Sequence, residues 1–189
     1  MKLEDLLLQK KTSILERWFR VIVETYPPET AKFLKKQKDR FANPVGAAIF
    51  QGISGIFDQI CQEINLDEAS PFLDKIVRTR AIQDFSPSQA VAFIFLLKHV
   101  IREELENEIR ENQLTQELFI VESRIDDLAL LSFNIYMKCR EQIYEMRFNE
   151  VRNKTYSLLK KANLLYEIPE SVSGGQHETN TDNLTPLTV

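Results

Sequence analysis

The sequence predicts an all-α bundle that ends in a long C-terminal helix. Three observations carry this: apolar residues recur at helical spacing from Leu3 onward, two X-Pro junctions have the chemistry of helix starts, and only five glycines occur in 189 residues. So few glycines argue against a turn-rich all-β fold. A hydrophobic share of 43% with 28% charged residues is that of a packed globular chain, which excludes a wholly disordered one.

Leu7, Ile14, Trp18, Val21 and Ile22 share a stripe in the segment from Leu3 to about Thr25, with Lys10, Lys11, Glu16 and Arg17 largely between them. Pro27-Pro28 ends this first helix. A second, Glu29 to about Asp39, is expected to turn Ala31, Phe33 and Leu34 inward and to expose a lysine-rich side. Asn43-Pro44 opens a third, because Asn accepts orphan amide hydrogens and Pro is already fixed at a helical φ. That helix should reach about Glu63. Gly46, Gly52 and Gly55 each cost it about 1 kcal/mol of helix propensity, a cost usually offset by close approach of another helix. They are no phosphate loop, since neither GxGxxG nor GKS/T is present.

A fourth helix is expected from Asp67 to about Asp84, with Pro71 tolerated in its first turn and Phe72, Ile76 and Val77 inside. Ser86-Pro87-Ser88-Gln89 is a capping box, and the helix it opens should run to about Glu111 at the centre of the fold, because apolar residues surround it for three turns. From Thr115 no Gly or Pro appears before Pro169, which gives one very long helix or two. Within it Tyr144, Phe148, Val151, Thr155, Leu158, Ala162 and Leu165 keep a heptad rhythm, the pattern of a coiled-coil seam. A dimer contact is expected at Tyr144, Phe148, Val151, Leu158 and Leu165. The domain plan is therefore a helical domain over 1–152, a helical extension over 153–168 and a disordered tail over 169–189, where apolar content is too low to offset ordering entropy.

A net charge of −4 offers nothing for phosphate backbones, so no nucleic-acid partner is expected. Lys35, Lys36 and Lys38 lie beside Glu29 and Asp39 and read as a solvated face. Glu4 and Asp5 interrupt any secretory signal, and the longest uncharged stretches, Pro44 to Phe57 and Phe85 to Leu97, are short of the roughly 20 residues that span a bilayer. The expectation is a cytoplasmic protein without membrane insertion.

Reactive chemistry finds little to work with. Cys61 and Cys139 form no CxxC pair and read as buried small hydrophobes. His99 and His177 are the only histidines, and no HExxH, calcium loop or nucleophilic triad includes them. Asp126 and Asp127 diverge by about 100° on one helix, a poor geometry for sharing a substrate. No catalytic residue, metal or other cofactor is expected. The alternative is haem or a small ligand, held by His99, at the boundary between core and solvent, or by the polar cluster Arg78, Arg80, Gln83 and Asp84. In that cluster Arg80 and Asp84 are spaced for an i, i+4 ion pair.

Several stretches in fixed order carry a family likeness: Arg40 to Gly46, Arg78 to Ala90, Arg124-Ile125-Asp126, then Tyr136, Cys139, Arg140 and Tyr144, with Trp18 and Tyr26-Pro27 before them. Over Leu3 to Val151 the chain resembles the N-terminal domain of RsbRD-type stress-signalling proteins. The resemblance implies a globin-like, non-haem sensory module that dimerises and passes a signal to a STAS domain within a stressosome. The chain holds no STAS or kinase segment after its last helix, so the expected output is contact with a separate STAS protein or kinase. It also implies regulation without catalysis.

Overall fold

The computed structural model describes residues 2–36, 42–62 and 64–164. Among them are eight helices and no strand: α1 (Leu3–Gln9), α2 (Lys11–Glu24), α3 (Pro28–Lys36), α4 (Pro44–Ile60), α5 (Leu66–Ile82), α6 (Pro87–Glu104), α7 (Glu106–Glu111) and α8 (Thr115–Lys161). Two compact units divide the chain, Met1–Phe148 and Asn149–Val189. The first holds the core. The second is described as far as Leu164, and it contains the end of α8 with a Lys154–Glu150 ion pair of 2.6 Å. Leu165 and the tail expected over 169–189 lie outside the described residues.

The N-terminal helix reads as one in the sequence but is two. Lys10 leaves helical geometry at φ −99°, ψ 13°, and its ammonium donates to the Glu104 carbonyl at 3.0 Å and pairs with Glu108 at 2.5 Å. No Gly or Pro marks this break; long-range partners make it. The same region explains why the helix after Ser86 stops at Glu104 rather than Glu111: Leu105 takes φ −120° and is fully buried.

The two expected starts have the expected chemistry. Asn43 accepts the Gly46 amide at 2.8 Å, and the Ser86 amide donates to Gln89 Oε1 at 3.0 Å while Gln89 N–H returns to Ser86 Oγ at 3.4 Å. Helix α5 starts earlier than predicted because Asn65 caps it, accepting from the Asp67 amide at 3.0 Å. Pro71 is thus in the second turn, where it denies the Asp67 carbonyl its helical donor.

Helices α4 and α5 pack closely, and glycine is the reason. A Cβ at Gly52 would sit 2.7 Å from Ile76 Cδ1, and one at Gly55 would enter the Phe72 ring. Gly46 is small for a different reason: a Cβ there would collide with the side chain of its own cap, Asn43. Helix α6 packs on α2 and α5 through Ala90, Phe93, Ile94, Leu97, Val100 and Ile101. Its position is less central than expected, because the side that carries Phe95 stays exposed. Phe33 on α3 also departs from expectation: it is 51% exposed, while Ala31 and Leu34 point inward. Helix α8 buries Val121, Ile125, Leu128, Ala129, Ser132, Tyr136 and Cys139, all within the first unit. No helix among the described residues is long and apolar enough to cross a membrane.

Candidate functional site

Arg80 lies on the inner stripe of α5, two turns after Leu73 and one after Ile76 and Val77, and is fully buried with them. One guanidinium nitrogen donates to the Gln89 carbonyl at 3.0 Å and the other to Thr25 Oγ1 at 2.9 Å. The guanidinium carbon lies 5.2, 5.0 and 5.3 Å from the ring centres of Tyr26, Phe85 and Phe93. Among the described residues no carboxylate pairs with it; the charge is met by ring faces, a carbonyl and a hydroxyl. Burial pulls the Arg80 pKa down, and burial pushes the Tyr26 phenol up, opposed by the Arg80 charge. Among the described residues Arg80 Nε and the Tyr26 hydroxyl have no partner in full hydrogen-bond geometry, although the two groups interact with each other.

This buried group is tied to α8 through the turn between α5 and α6. Asp84 bends that turn with φ 58°, and the Phe85 amide returns to the Arg80 carbonyl at 3.2 Å. The Tyr136 hydroxyl donates to the Phe85 carbonyl at 2.6 Å. Arg140 donates to the Ala81 carbonyl at 3.0 Å and to Asp84 at 3.1 Å, and also to the Tyr144 hydroxyl at 3.1 Å. Its guanidinium lies 5.0 Å from the Tyr144 ring centre. A chain of direct contacts therefore runs from Arg80 through Phe85 to Tyr144.

The structure does not bring the four predicted polar residues together. Arg80 is buried, whereas Arg78, Gln83 and Asp84 are exposed. The predicted Arg80–Asp84 ion pair is replaced by two others, Arg78 with Asp74 at 3.0 Å and Asp84 with Arg140. Because α5 ends at Ile82, position 84 no longer follows the helical lattice that i, i+4 spacing assumes. Thr25, Tyr26 and Phe93 complete the site without having been singled out for it. The signal that would have found Arg80 is its place in the apolar stripe Leu73, Ile76, Val77 rather than its neighbours in sequence.

His99 is exposed and makes no side-chain hydrogen bond among the described residues, and Asp126 pairs with Lys98 at 2.7 Å. No group of three or more His, Cys, Asp or Glu side chains that could hold a metal occurs among the described residues. Both cysteines are buried free thiols, and burial pushes the Cys61 thiol up to about 12, where it stays protonated near neutral pH.

Along the outer face of α8, Tyr144, Phe148, Val151 and Leu158 are all exposed. Every described residue from Tyr144 to Leu164 is exposed as well. Leu130, Phe133 and Met137 add exposed apolar groups at three- and four-residue steps upstream.

A family model described as the RsbT co-antagonist protein rsbRD N-terminal domain matches residues 12–151. The chain belongs to this family. Neither the curated proteins nor the solved structures contain a match to it. The matched span runs from the first turn of α2 through α7, the whole Arg80 site and α8 as far as Val151. Stretches far apart in the rsbRD-type sequence meet at this site: Tyr26 from the end of α2, Arg80 to Phe85 from the α5–α6 junction, and Tyr136, Arg140 and Tyr144 from α8.

Proposed function

We propose that this rsbRD-type domain is a non-catalytic, cytoplasmic signal-input module that acts as a homodimer through α8 and contacts a separate regulatory protein, a STAS protein or a kinase of a stress-signalling assembly. One observation carries the reading: the exposed apolar row Tyr144, Phe148, Val151 and Leu158 sits on the helix that is also bound, through Arg140 and Tyr136, to the buried Arg80 site. A lone helix without packing is marginal in water, and every described residue from Tyr144 to Leu164 is exposed. A second copy of α8 supplies it. Membership of a family named for a co-antagonist protein supports regulation over catalysis.

The test is mass by light scattering during size exclusion. The full chain is expected at twice its monomer mass, and Val151→Glu with Leu158→Glu, or truncation after Arg152, should weaken dimerisation by at least tenfold. Unchanged dimerisation in these variants would remove the seam from the account. Leu165 belongs to the same proposed row by its spacing.

A further inference from the structure

A cleft of about 740 Å³ lies between α2, α3 and α4, within the size range of small-molecule sites. Its apolar wall includes Phe19 and Phe50, whose rings meet edge to face at 5.8 Å, with Leu34 and Ala47 beside them. Phe50 is 43% exposed. The polar edge carries two cations with different states. The Lys35 ammonium is engaged by Glu24 at 2.7 Å, whereas Arg20 has no ion-pair partner among the described residues. Asn43, at the α4 end of the cleft, already accepts the Gly46 amide and donates to the Leu34 carbonyl at 3.0 Å. Among the described residues that line the cleft, the cation without an ion-pair partner is therefore Arg20. Glu16, one turn earlier on α2, also lines the cleft and disfavours a second anionic group.

We propose that this cleft binds a small amphipathic monocarboxylate, its carboxylate on the Arg20 guanidinium and its apolar chain across Phe19 and Phe50. An arginine fork matches a carboxylate in two parallel hydrogen bonds, and the aromatic pair supplies a desolvated surface for the chain. A dicarboxylate is disfavoured by Glu16. The site stands independently of the signalling reading, although Phe19 and Arg20 share α2 with the residues leading to Thr25 and Tyr26 at the Arg80 site.

The experiment is calorimetric titration of the purified full chain with decanoate below its micelle concentration, alongside decanol and acetate. Saturable one-to-one binding of decanoate is expected, with decanol about tenfold weaker and acetate undetectable. Arg20→Gln should weaken decanoate about tenfold, a loss of roughly 1.4 kcal/mol, and leave decanol unchanged, while Phe50→Ser weakens both. Both positions are exposed, and thermal melts of the variants check that they fold. Phe148→Ser on α8 should leave binding intact. Absence of saturable binding, decanol as tight as decanoate, insensitivity to Arg20→Gln, or loss in Phe148→Ser in place of Phe50→Ser each overturns the proposal.

Discussion

Arg80 is a buried cation that pairs with no carboxylate among the described residues, so the chemistry of its replacement decides the outcome more than its size. Arg80→Ala removes both charged hydrogen bonds and the packing against Tyr26, Phe85 and Phe93, and leaves a hole between α2, α5 and α6. Large-to-small changes of this kind cost about 3–5 kcal/mol. Arg80→Met keeps an unbranched apolar stem in the same space. It forfeits two hydrogen bonds from a charged donor, each with a net worth of about 1.5–3 kcal/mol, but also relieves the desolvation of a buried charge, which is several kcal/mol before compensation. No stranded hydroxyl remains, because Thr25 Oγ1 also bonds the Ile22 carbonyl at 2.7 Å. The methionine variant is expected within about 1 kcal/mol of the parent.

Urea unfolding followed by helical circular dichroism separates the two. With a slope of about 2 kcal/mol/M, Arg80→Ala lowers the midpoint by roughly 2 M and Arg80→Met by less than about 0.5 M, both with the slope unchanged. Equal losses in alanine and methionine would refute the reasoning, since they would mean that the charge itself stabilises the fold through a bound counter-anion. An alanine variant within about 1 kcal/mol of the parent would refute it from the other side.

Two further outcomes follow from the same geometry. Arg17 hydrogen-bonds Glu104 at 2.8 Å and pairs with Glu103, and this holds the Glu104 carboxyl below the usual carboxylate range. A depressed carboxylate stabilises the fold above its unfolded pKa of about 4.3 and loses that contribution as pH falls through the folded value. Arg17→Met should therefore cost about 0.5–1 kcal/mol at neutral pH, with the difference from the parent closing below about pH 4 in acid-unfolding curves. Gly55→Ala gains about 1 kcal/mol of helix propensity but drives a methyl into the Phe72 ring, for a net loss of about 1–2 kcal/mol in urea unfolding. Phe72→Leu in the same chain should return part of that loss.

Local chemistry was legible in the sequence, and long-range chemistry was not. Asn43 and Ser86 were readable as caps because every atom involved lies within three residues. Gly52 and Gly55 were readable as close-packing positions because glycine inside a helix has few other reasons to be there. The breaks at Lys10 and Leu105 were hidden: Lys10 is held by Glu104 and Glu108, and Leu105 turns into a core that only the assembled helices create. The site shows the same division. Position 80 was readable as polar and notable, but its partners Thr25 and Tyr26 are 55 and 54 residues away, and local spacing pointed to Asp84 instead.

The Arg80 site has a feature suited to the signalling role proposed for it. Among the described residues Arg80 Nε and the Tyr26 hydroxyl meet no partner in full hydrogen-bond geometry, yet each feels the other's charge across a short gap. Any movement of Phe85 pulls on Tyr136 and Arg140, since the Phe85 carbonyl takes the Tyr136 hydroxyl and the adjoining Asp84 takes Arg140. Arg140 in turn holds Tyr144, the first residue of the proposed dimer row. The proposed row is thus joined to the buried arginine by direct contacts, with no reactive group among them.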